Sequence, residues 1–140
     1  MIKLNSFMKL LRFLVLSPSG IKLDKTIISA QVKTTEGYIG LNFNRAPLIA
    51  AIQSHLCKII FADQTKREAI IGAGLMLIKK TEAKIFTENF VFADEVDINE
   101  TLKRKTELER KIHHIKDAKL NVKIEQNLMF ELLKLSSKKK

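Results

Sequence analysis

Apolar and polar residues alternate over short distances in the first two thirds of the chain. Within residues 27–33, apolar residues stand at 28, 30 and 32, which is the period of a strand with one buried face. Further apolar segments follow this pattern more loosely: Phe7–Leu16, His55–Phe61, Glu68–Ile78 and Lys84–Phe90. Turn-forming residues at 17–20 and 63–65 end two of them. Short strands with no helix between them predict an antiparallel sandwich or barrel.

Two glycines, Gly72 and Gly74, lie inside the apolar segment 68–78. Glycine within a strand indicates a bulge or the close approach of another backbone. The same residues begin like a dinucleotide-binding fingerprint, but the third glycine is missing and no helix follows. We therefore interpret both glycines as structural residues of one strand.

The pattern changes near Asp97, where the apolar period becomes that of a helix. Asp97 followed by Glu100 has the form of a helix N-terminal cap. Apolar residues then recur every three or four positions over 120–135, which is a clean helical stripe. A break near 117–121 would fold this part of the chain into two antiparallel helices.

These patterns together predict an α+β fold, in which an N-terminal antiparallel β-sandwich is followed by a C-terminal antiparallel α-helical hairpin. We expect two domains, the sandwich in residues 1–94 and the hairpin in residues 95–140. The length of 140 residues is enough for one or two small units. Hydrophobic residues make up 46% of the chain, which favours a buried core over disorder.

The formal net charge is +10, and the basic excess is concentrated beyond Asp97. Such a charge indicates either an acidic partner (nucleic acid, a membrane surface or an acidic protein) or a general lysine-rich bias in composition. The basic runs 103–105 and 138–140 could contact phosphates, but such runs are more often a solvated helix face and a frayed tail. The strands offer few aromatic residues for base stacking.

The residues that usually carry catalysis or bind metals are not arranged for either. His113 and His114 are adjacent, so on a helix they point about 100° apart, whereas helical metal sites use pairs three or four residues apart. The single cysteine, Cys57, lies in an apolar run and is expected to be a buried structural thiol. We predict no catalytic or metal site and no enzymatic activity.

The segment 7–16 is similar to a secretory signal, but Lys9 and Arg12 interrupt it and no cleavage site follows. No apolar run approaches the roughly 20 residues that span a bilayer. The sequence therefore predicts a strand at 7–16 and a soluble protein.

Three short motifs resemble the epsilon subunit of the rotary F-type ATP synthase, in the same order and spacing. The first is TTEGYIGLNFNRAPL at 34–48, whose glycines and final Ala-Pro-Leu are similar to the signature loop of that family. The second is AGLM at 73–76 with Ile-Phe at 85–86, and the third is ADEVD at 93–97, where that family enters its helical hairpin.

The resemblance implies a non-catalytic central-stalk subunit of the proton-translocating ATP synthase, peripheral to the cytoplasmic face of the cell membrane. It implies that the sandwich docks on the gamma subunit and the membrane ring. The candidate interface residues are Glu36, Gly37, Tyr38, Gly40, Arg45, Ala46 and Pro47. In this interpretation Gly37 and Gly40 permit tight turns with positive φ, and Pro47 fixes the entry into the next strand.

In that family the hairpin lies folded against the sandwich or extends into the catalytic ring, where it opposes ATP hydrolysis. The resemblance implies that its basic residues then meet acidic segments of the catalytic beta subunits. The candidates are Lys103, Arg104, Lys105, Arg110 and Lys111, with Lys116, Lys119 and Lys123 near the bend. Because partly exposed ion pairs are each worth about 0–1 kcal/mol, only a cluster of them could change the position of the hairpin.

The chain departs from the family pattern at several positions. Arg45 stands where the family usually has His, Phe43 where it has Pro, and Ala73 replaces the first Gly of a Gly-Gly pair. Some members bind ATP through an Ile/Leu-Asp-x-x-Arg-Ala motif. Here 96–101 read VDINET, so Glu100 replaces the Arg and would repel phosphate. We expect weak or no ATP binding and no cofactor.

A second hypothesis comes from a different class: a basic, nucleic-acid-binding β-barrel with a helical extension, as in ribosomal proteins. That hypothesis predicts an affinity for RNA or DNA that falls steeply with salt. The stalk hypothesis predicts tight, weakly salt-dependent binding to a protein.

Overall fold

A computed structural model describes the backbone of residues 9–114 and 118–138, and the side chains of residues 9–112 and 122–137. Nine strands come first within these residues: β1 (Leu11–Ser17), β2 (Gly20–Thr34), β3 (Gly37–Leu41), β4 (Leu48–Ile52), β5 (His55–Phe61), β6 (Lys66–Ile71), β7 (Gly74–Ile78), β8 (Glu82–Thr87) and β9 (Phe90–Phe92). A 3-10 turn (Ala93–Glu95) leads to α1 (Ile98–His114) and α2 (Ala118–Lys138).

The long strand β2 belongs to both layers of a β-sandwich. Its first half pairs with β1, and its second half pairs with β3 and β5. One layer continues from β1 through β8 and β7 to β4, and the other continues from β5 through β6 to β9. The predicted α+β architecture is confirmed. The strand pairing is antiparallel as predicted, except that β1 and β8 run parallel.

The core lies between the two layers and is formed by inward-facing residues of the strands. Phe13, Ile27, Met76 and Ile85 are among its fully buried side chains. Cys57 belongs to the same cluster, and its burial raises the pKa of its thiol to about 12. The expectation of a buried structural thiol is therefore confirmed.

The prediction of one strand over 68–78 is wrong, because the chain forms β6 and β7 with a break at 72–73. At the break, the amide of Gly72 donates a hydrogen bond to the carbonyl of Asn89. The predicted close approach is confirmed at Gly74, where an added Cβ would lie 2.0 Å from the carbonyl oxygen of Phe86. The glycines thus end one strand and begin the next.

Other strand limits also differ from the predictions. The strand predicted at 7–16 begins at Leu11, and residues 7 and 8 lie outside the described part of the chain. The strand β2 begins at Gly20 rather than near 27, because its first half is an exposed hairpin arm with few buried residues. The segment 84–90 contains β8 and the start of β9.

The two helices form the predicted antiparallel hairpin. Asp97 caps α1, since its carboxylate accepts a hydrogen bond from the amide of Glu100 at 3.2 Å. The break predicted at 117–121 is placed too late, because α2 already begins at Ala118. The chain between the helices, 115–117, lies outside the described residues.

The hairpin is folded against the sandwich, with α2 lying over β5 and β6. Phe130 of α2 packs with Ile70 and Val96 in a small buried cluster. Nearer the bend the contacts are polar: Asn89 Nδ2 donates to Asn127 Oδ1 at 3.1 Å, and Lys123 forms an ion pair with Glu88 at 3.1 Å.

The segment between the two parts is held to β6 by Arg67. The guanidinium of Arg67 forms ion pairs with Asp94 at 2.7 Å and Glu95 at 3.1 Å. It also lies over the ring of Phe92, 3.5 Å from the centroid. The 3-10 turn is therefore fixed to the sandwich before the helices begin. Whether residues 1–94 and 95–140 fold as separate domains stays a prediction.

Candidate partner-docking surface

The segment 34–48 begins with a two-residue β-turn that connects β2 to β3. Thr34 Oγ1 accepts a hydrogen bond from the amide of Glu36 at 3.1 Å and donates one to the carbonyl of Gly37 at 2.7 Å. Gly37 has φ +122°, as predicted, which a side chain would disfavour. This turn exposes Glu36 and Gly37 at the tip of a hairpin rather than in one long loop.

The strand β3 carries the next two candidate residues. Tyr38 is 60% exposed, and its ring lies 5.8 Å from Nζ of Lys33 and 6.4 Å from the ring of His55. The prediction of a positive φ at Gly40 is wrong, because Gly40 pairs with Gln31 in the regular ladder between β2 and β3. A Cβ there would meet only Asn42 Nδ2, at 4.0 Å.

The remaining candidates lie in the loop 42–47. Asn44 has φ +66°, a conformation that Asn tolerates better than most residues, and its amide donates to the carbonyl of Lys80 at 2.6 Å. This bond holds the loop against the β7–β8 turn. Arg45 is half-buried, whereas Ala46 and Pro47 are exposed. Pro47 immediately precedes β4, as predicted.

Sequence reasoning missed an exposed apolar surface that ends next to the turn between β2 and β3, where the amide of Thr35 donates to the carbonyl of Ala51 at 3.1 Å. Leu16 faces both Ile21 and Phe86 in the strand register, Phe86 faces Leu75, and Leu75 faces Ala51. We call these five residues, which cross β2, β1, β8, β7 and β4, the apolar row. Ile21 is 64%, Leu75 47% and Phe86 43% exposed. Contiguous exposed apolar surface of this kind marks interaction sites.

The sequence does contain a signal for the apolar row. The strand β7 reads GLMLI, so both of its faces are apolar. A strand with one solvated face alternates instead. The second face of β7 therefore required a cover, which the described residues of the chain do not supply at Leu75.

The basic candidates of the hairpin lie along α1. Lys103 and Arg110 are seven residues apart, as are Arg104 and Lys111, so each pair shares a side of the helix. Arg104 forms an ion pair with Glu100, and Lys105 pairs with Glu109 at 3.0 Å. Lys103, Arg110 and Lys111 are exposed. Of the candidates near the bend, Lys123 pairs with Glu88, whereas Lys116 and Lys119 lie outside the described side chains.

The start of the hairpin uses its acidic residues for structure. Asp97 caps α1 and also accepts, through its carbonyl, the hydroxyl of Thr101 at 2.6 Å. Glu100 forms an ion pair with Arg104. Val96 is buried against the sandwich. The segment therefore presents carboxylates where a phosphate-binding cation would be needed.

Neither helix is long and apolar enough, over the residues described, to cross a membrane. Among the same residues, no three or more His, Cys, Asp or Glu side chains are grouped so that they could hold a metal ion.

Comparison with known families agrees with this fold. A family model described as the β-sandwich domain of the ATP synthase delta/epsilon chain matches residues 10–93, and the chain belongs to this family. Within it, the chain is 77% identical over 133 residues to the ATP synthase epsilon chain of Mycoplasma pneumoniae, which covers 95% of this chain and 100% of that one. The epsilon chain of Mycoplasmoides gallisepticum is 38% identical over 125 residues, covering 89% and 96%.

Solved structures show the same fold. A chain of the Euglena gracilis mitochondrial ATP synthase (OSCP, F1 and c-ring) superposes with a TM-score of 0.68 at 17% identity, covering 91% of this chain and 81% of that one. Family membership makes the chain an accessory subunit of ATP synthase rather than a catalytic one, and part of a membrane-bound complex. The ribosomal-type alternative is not supported.

Proposed function

We propose that this chain docks at the foot of the central stalk and couples the rotor to the catalytic head of ATP synthase. The exposed apolar row, which adjoins the turn between β2 and β3 at Ala51, is the observation that carries this proposal. Three of its side chains are more than 40% exposed on adjoining strands, and a stable partner surface would remove them from water.

The two parts of the surface suit two partners. The apolar row is a broad sheet face, which suits the gamma subunit. The turn at Glu36 and Gly37 and the neighbouring Tyr38 project from one end of the sandwich, which suits the loops of the membrane ring. Arg45, Ala46 and Pro47 lie between these two areas in the chain. In this arrangement the sandwich is peripheral to the cytoplasmic face of the membrane.

The hairpin then acts as a brake on ATP hydrolysis. When the hairpin is folded on the sandwich, α2 covers β5 and β6. When the hairpin is released, α1 would present Lys103, Arg110 and Lys111 to acidic segments of the catalytic beta subunits. An amphipathic hairpin can exchange one docking surface for another when the free energies are similar. We also propose that ATP is not a ligand of the hairpin, since Glu100 would repel its phosphates.

The test is ATP hydrolysis by the cognate catalytic core carrying gamma, titrated with the full chain. Leu75→Asp combined with Phe86→Asp is expected to weaken binding about thirtyfold or more, because charged residues replace a buried apolar anchor. Ile98→Asp is the matched control, since Ile98 is 46% exposed on the hairpin and an acid is favourable in a first helical turn. Unchanged binding by the double variant would remove the apolar row from the stalk contact.

The brake is tested separately from docking. Lys103→Glu with Arg110→Glu should leave binding intact while hydrolysis rises to the rate of the core alone. Equal inhibition by this variant and the unmodified chain would exclude these residues from the brake. Calorimetry with ATP checks the last part of the proposal, and a millimolar or tighter dissociation constant would contradict it.

A further inference from the structure

The hairpin contains a buried ion pair that takes no part in the contacts proposed above with the stalk or the catalytic subunits. The side chains of Glu131 and Lys134, both on α2, are each 7% exposed. Charged residues are seldom buried to this extent unless they are paired. Lys134 follows Phe130 by four residues and shares its helix face, and Phe130 packs with Ile70 and Val96 of the cluster that joins α2 to the sandwich. Glu131 lies beside α1, 3.8 Å from Arg104. The pair therefore lies on α2 between α1 and the sandwich.

The geometry of this ion pair is incomplete. Lys134 Nζ lies 2.9 Å from Glu131 Oε2 and donates a hydrogen bond to Oε1 at 3.4 Å. Among the described residues, no group other than this ammonium hydrogen-bonds Oε2. Arg104 Nη1 is 3.8 Å from the carboxylate, beyond hydrogen-bonding distance, and Arg104 is also engaged by Glu100. The ammonium lies 5.4 Å from the ring centroid of Phe130.

Burial removes the hydration of both charges. Their mutual attraction compensates for that loss only when the geometry is good and every polar atom is hydrogen-bonded. Glu131 does not meet the second condition, because the Lys134 ammonium is the one hydrogen-bonding partner of its carboxylate among the described residues. The apolar contact of Phe130 carries no such cost. Lifting the hairpin from the sandwich would restore water to the pair while exposing Phe130.

We propose that the Glu131–Lys134 ion pair weakens the docking of the hairpin on the sandwich and so keeps the hairpin releasable. This inference rests on the proposed function in one respect, that hairpin release matters for hydrolysis. The pair tolerates both environments, because it stays paired when folded and becomes hydrated when released. An apolar pair of the same size would favour the folded state alone.

The test uses energy transfer between dyes on the full chain, placed at Lys79→Cys on the sandwich and Glu107→Cys on α1. Both positions are exposed, whereas Cys57 is buried with a pKa raised to about 12 and stays unlabelled. Energy transfer is then measured at increasing urea concentrations, all below those that unfold the sandwich, and it reports the ratio of docked to released hairpin.

The double variant Glu131→Leu with Lys134→Met should raise the docked-to-released ratio about tenfold or more, since replacing a buried ion pair by apolar residues often stabilises. Either single substitution leaves one buried charge without its partner and should lower the ratio about a hundredfold. The opposite signs of the single and double variants distinguish the ion pair from a simple packing effect.

The matched control is Lys105→Met with Glu109→Leu, because the side chains of that pair are 31% and 48% exposed and their replacement should leave the ratio unchanged. A double variant that docks no more tightly than the unmodified chain overturns the proposal. The proposal is also overturned if both single variants keep the docked-to-released ratio of the unmodified chain. If the double variant docks more tightly but inhibits hydrolysis equally, the ion-pair proposal stands and the brake of the proposed function fails.

Discussion

The sandwich and the contact that holds the hairpin to it are built differently. The sandwich core joins side chains from both layers into one buried cluster without charged members. The hairpin contact has three buried apolar residues, Ile70, Val96 and Phe130, next to a buried ion pair. Towards the bend a groove of about 610 Å³ opens between α2 and the sheet, lined in part by Phe86 and Asn127.

This difference predicts that the hairpin can leave the sandwich while the sandwich stays folded. Cooperative units open with free energies that follow the apolar surface they bury. The sandwich buries its apolar surface between two paired layers, whereas α2 buries a few side chains on an already complete sheet. Four predictions test how far this separation goes.

Deleting the hairpin is the largest change that the comparison allows. We expect residues 1–96 to keep the sandwich fold and to bind the stalk, while inhibition of hydrolysis is lost entirely. Circular dichroism and cooperative urea unfolding check the fold, and the hydrolysis titration checks the function. If the fragment fails to unfold cooperatively, the two-domain division is wrong.

Gly74→Ala should damage the sandwich most among single substitutions. The added Cβ would lie 2.0 Å from the carbonyl oxygen of Phe86, and backbone cannot move away cheaply within a sheet. We expect the free energy of unfolding to fall by about 3 kcal/mol or more, measured in urea. Gly40→Ala is the control, with an expected change within about 0.5 kcal/mol. Similar losses in both variants would disprove the close-approach explanation.

Phe130→Ala should act on the hairpin alone. The Phe130 side chain is 5% exposed in the small cluster. Its removal is expected to make the free energy of docking the hairpin on the sandwich less favourable by about 3 kcal/mol. The urea midpoint of the sandwich should stay unchanged, whereas dye pairs that span the two parts report release. A parallel loss of sandwich stability would show that the two parts unfold as one unit.

The smallest expected effect is a pH dependence at His55. Burial, and to a lesser extent the charge of Lys33, lowers the pKa of this imidazole in the folded chain. The unfolded chain therefore binds a proton that the folded chain lacks. Stability is fully present above the unfolded pKa, about 6.5, and is lost as the pH falls below it towards the folded pKa. His55→Gln should flatten this part of the stability profile. An identical profile in the variant would assign the effect to other groups.

Local signals in the sequence were sufficient for the parts of the fold that depend on neighbouring residues. The strand predicted at 55–61 coincides with β5, and Asp97 caps α1. Residues far apart in sequence decided the rest. In the apolar segment 68–78 the two glycines indicated a bulge or a close approach but not a break, because the break depends on the hydrogen bond of Gly72 to Asn89. The parallel pairing of β1 with β8 is likewise non-local.

The candidate docking surface was only partly predictable for the same reason. Glu36, Gly37 and Tyr38 follow from a motif within a few residues. The apolar row is assembled from five strands, so it exists only once their register is known. The role of any of these residues in binding stays a prediction.

The attachment of Arg67 to the 3-10 turn has a mechanical consequence. Because Asp94 and Glu95 are held to β6, we expect a released hairpin to turn about the residues that follow them, while the 3-10 turn stays on the sandwich. The helix α1 has 17 residues and is therefore about 26 Å long. A helix of this length that turns about a fixed point can reach only positions within that distance of the point. If the hairpin is released as proposed, the length of α1 therefore limits how far its far end can reach from the sandwich.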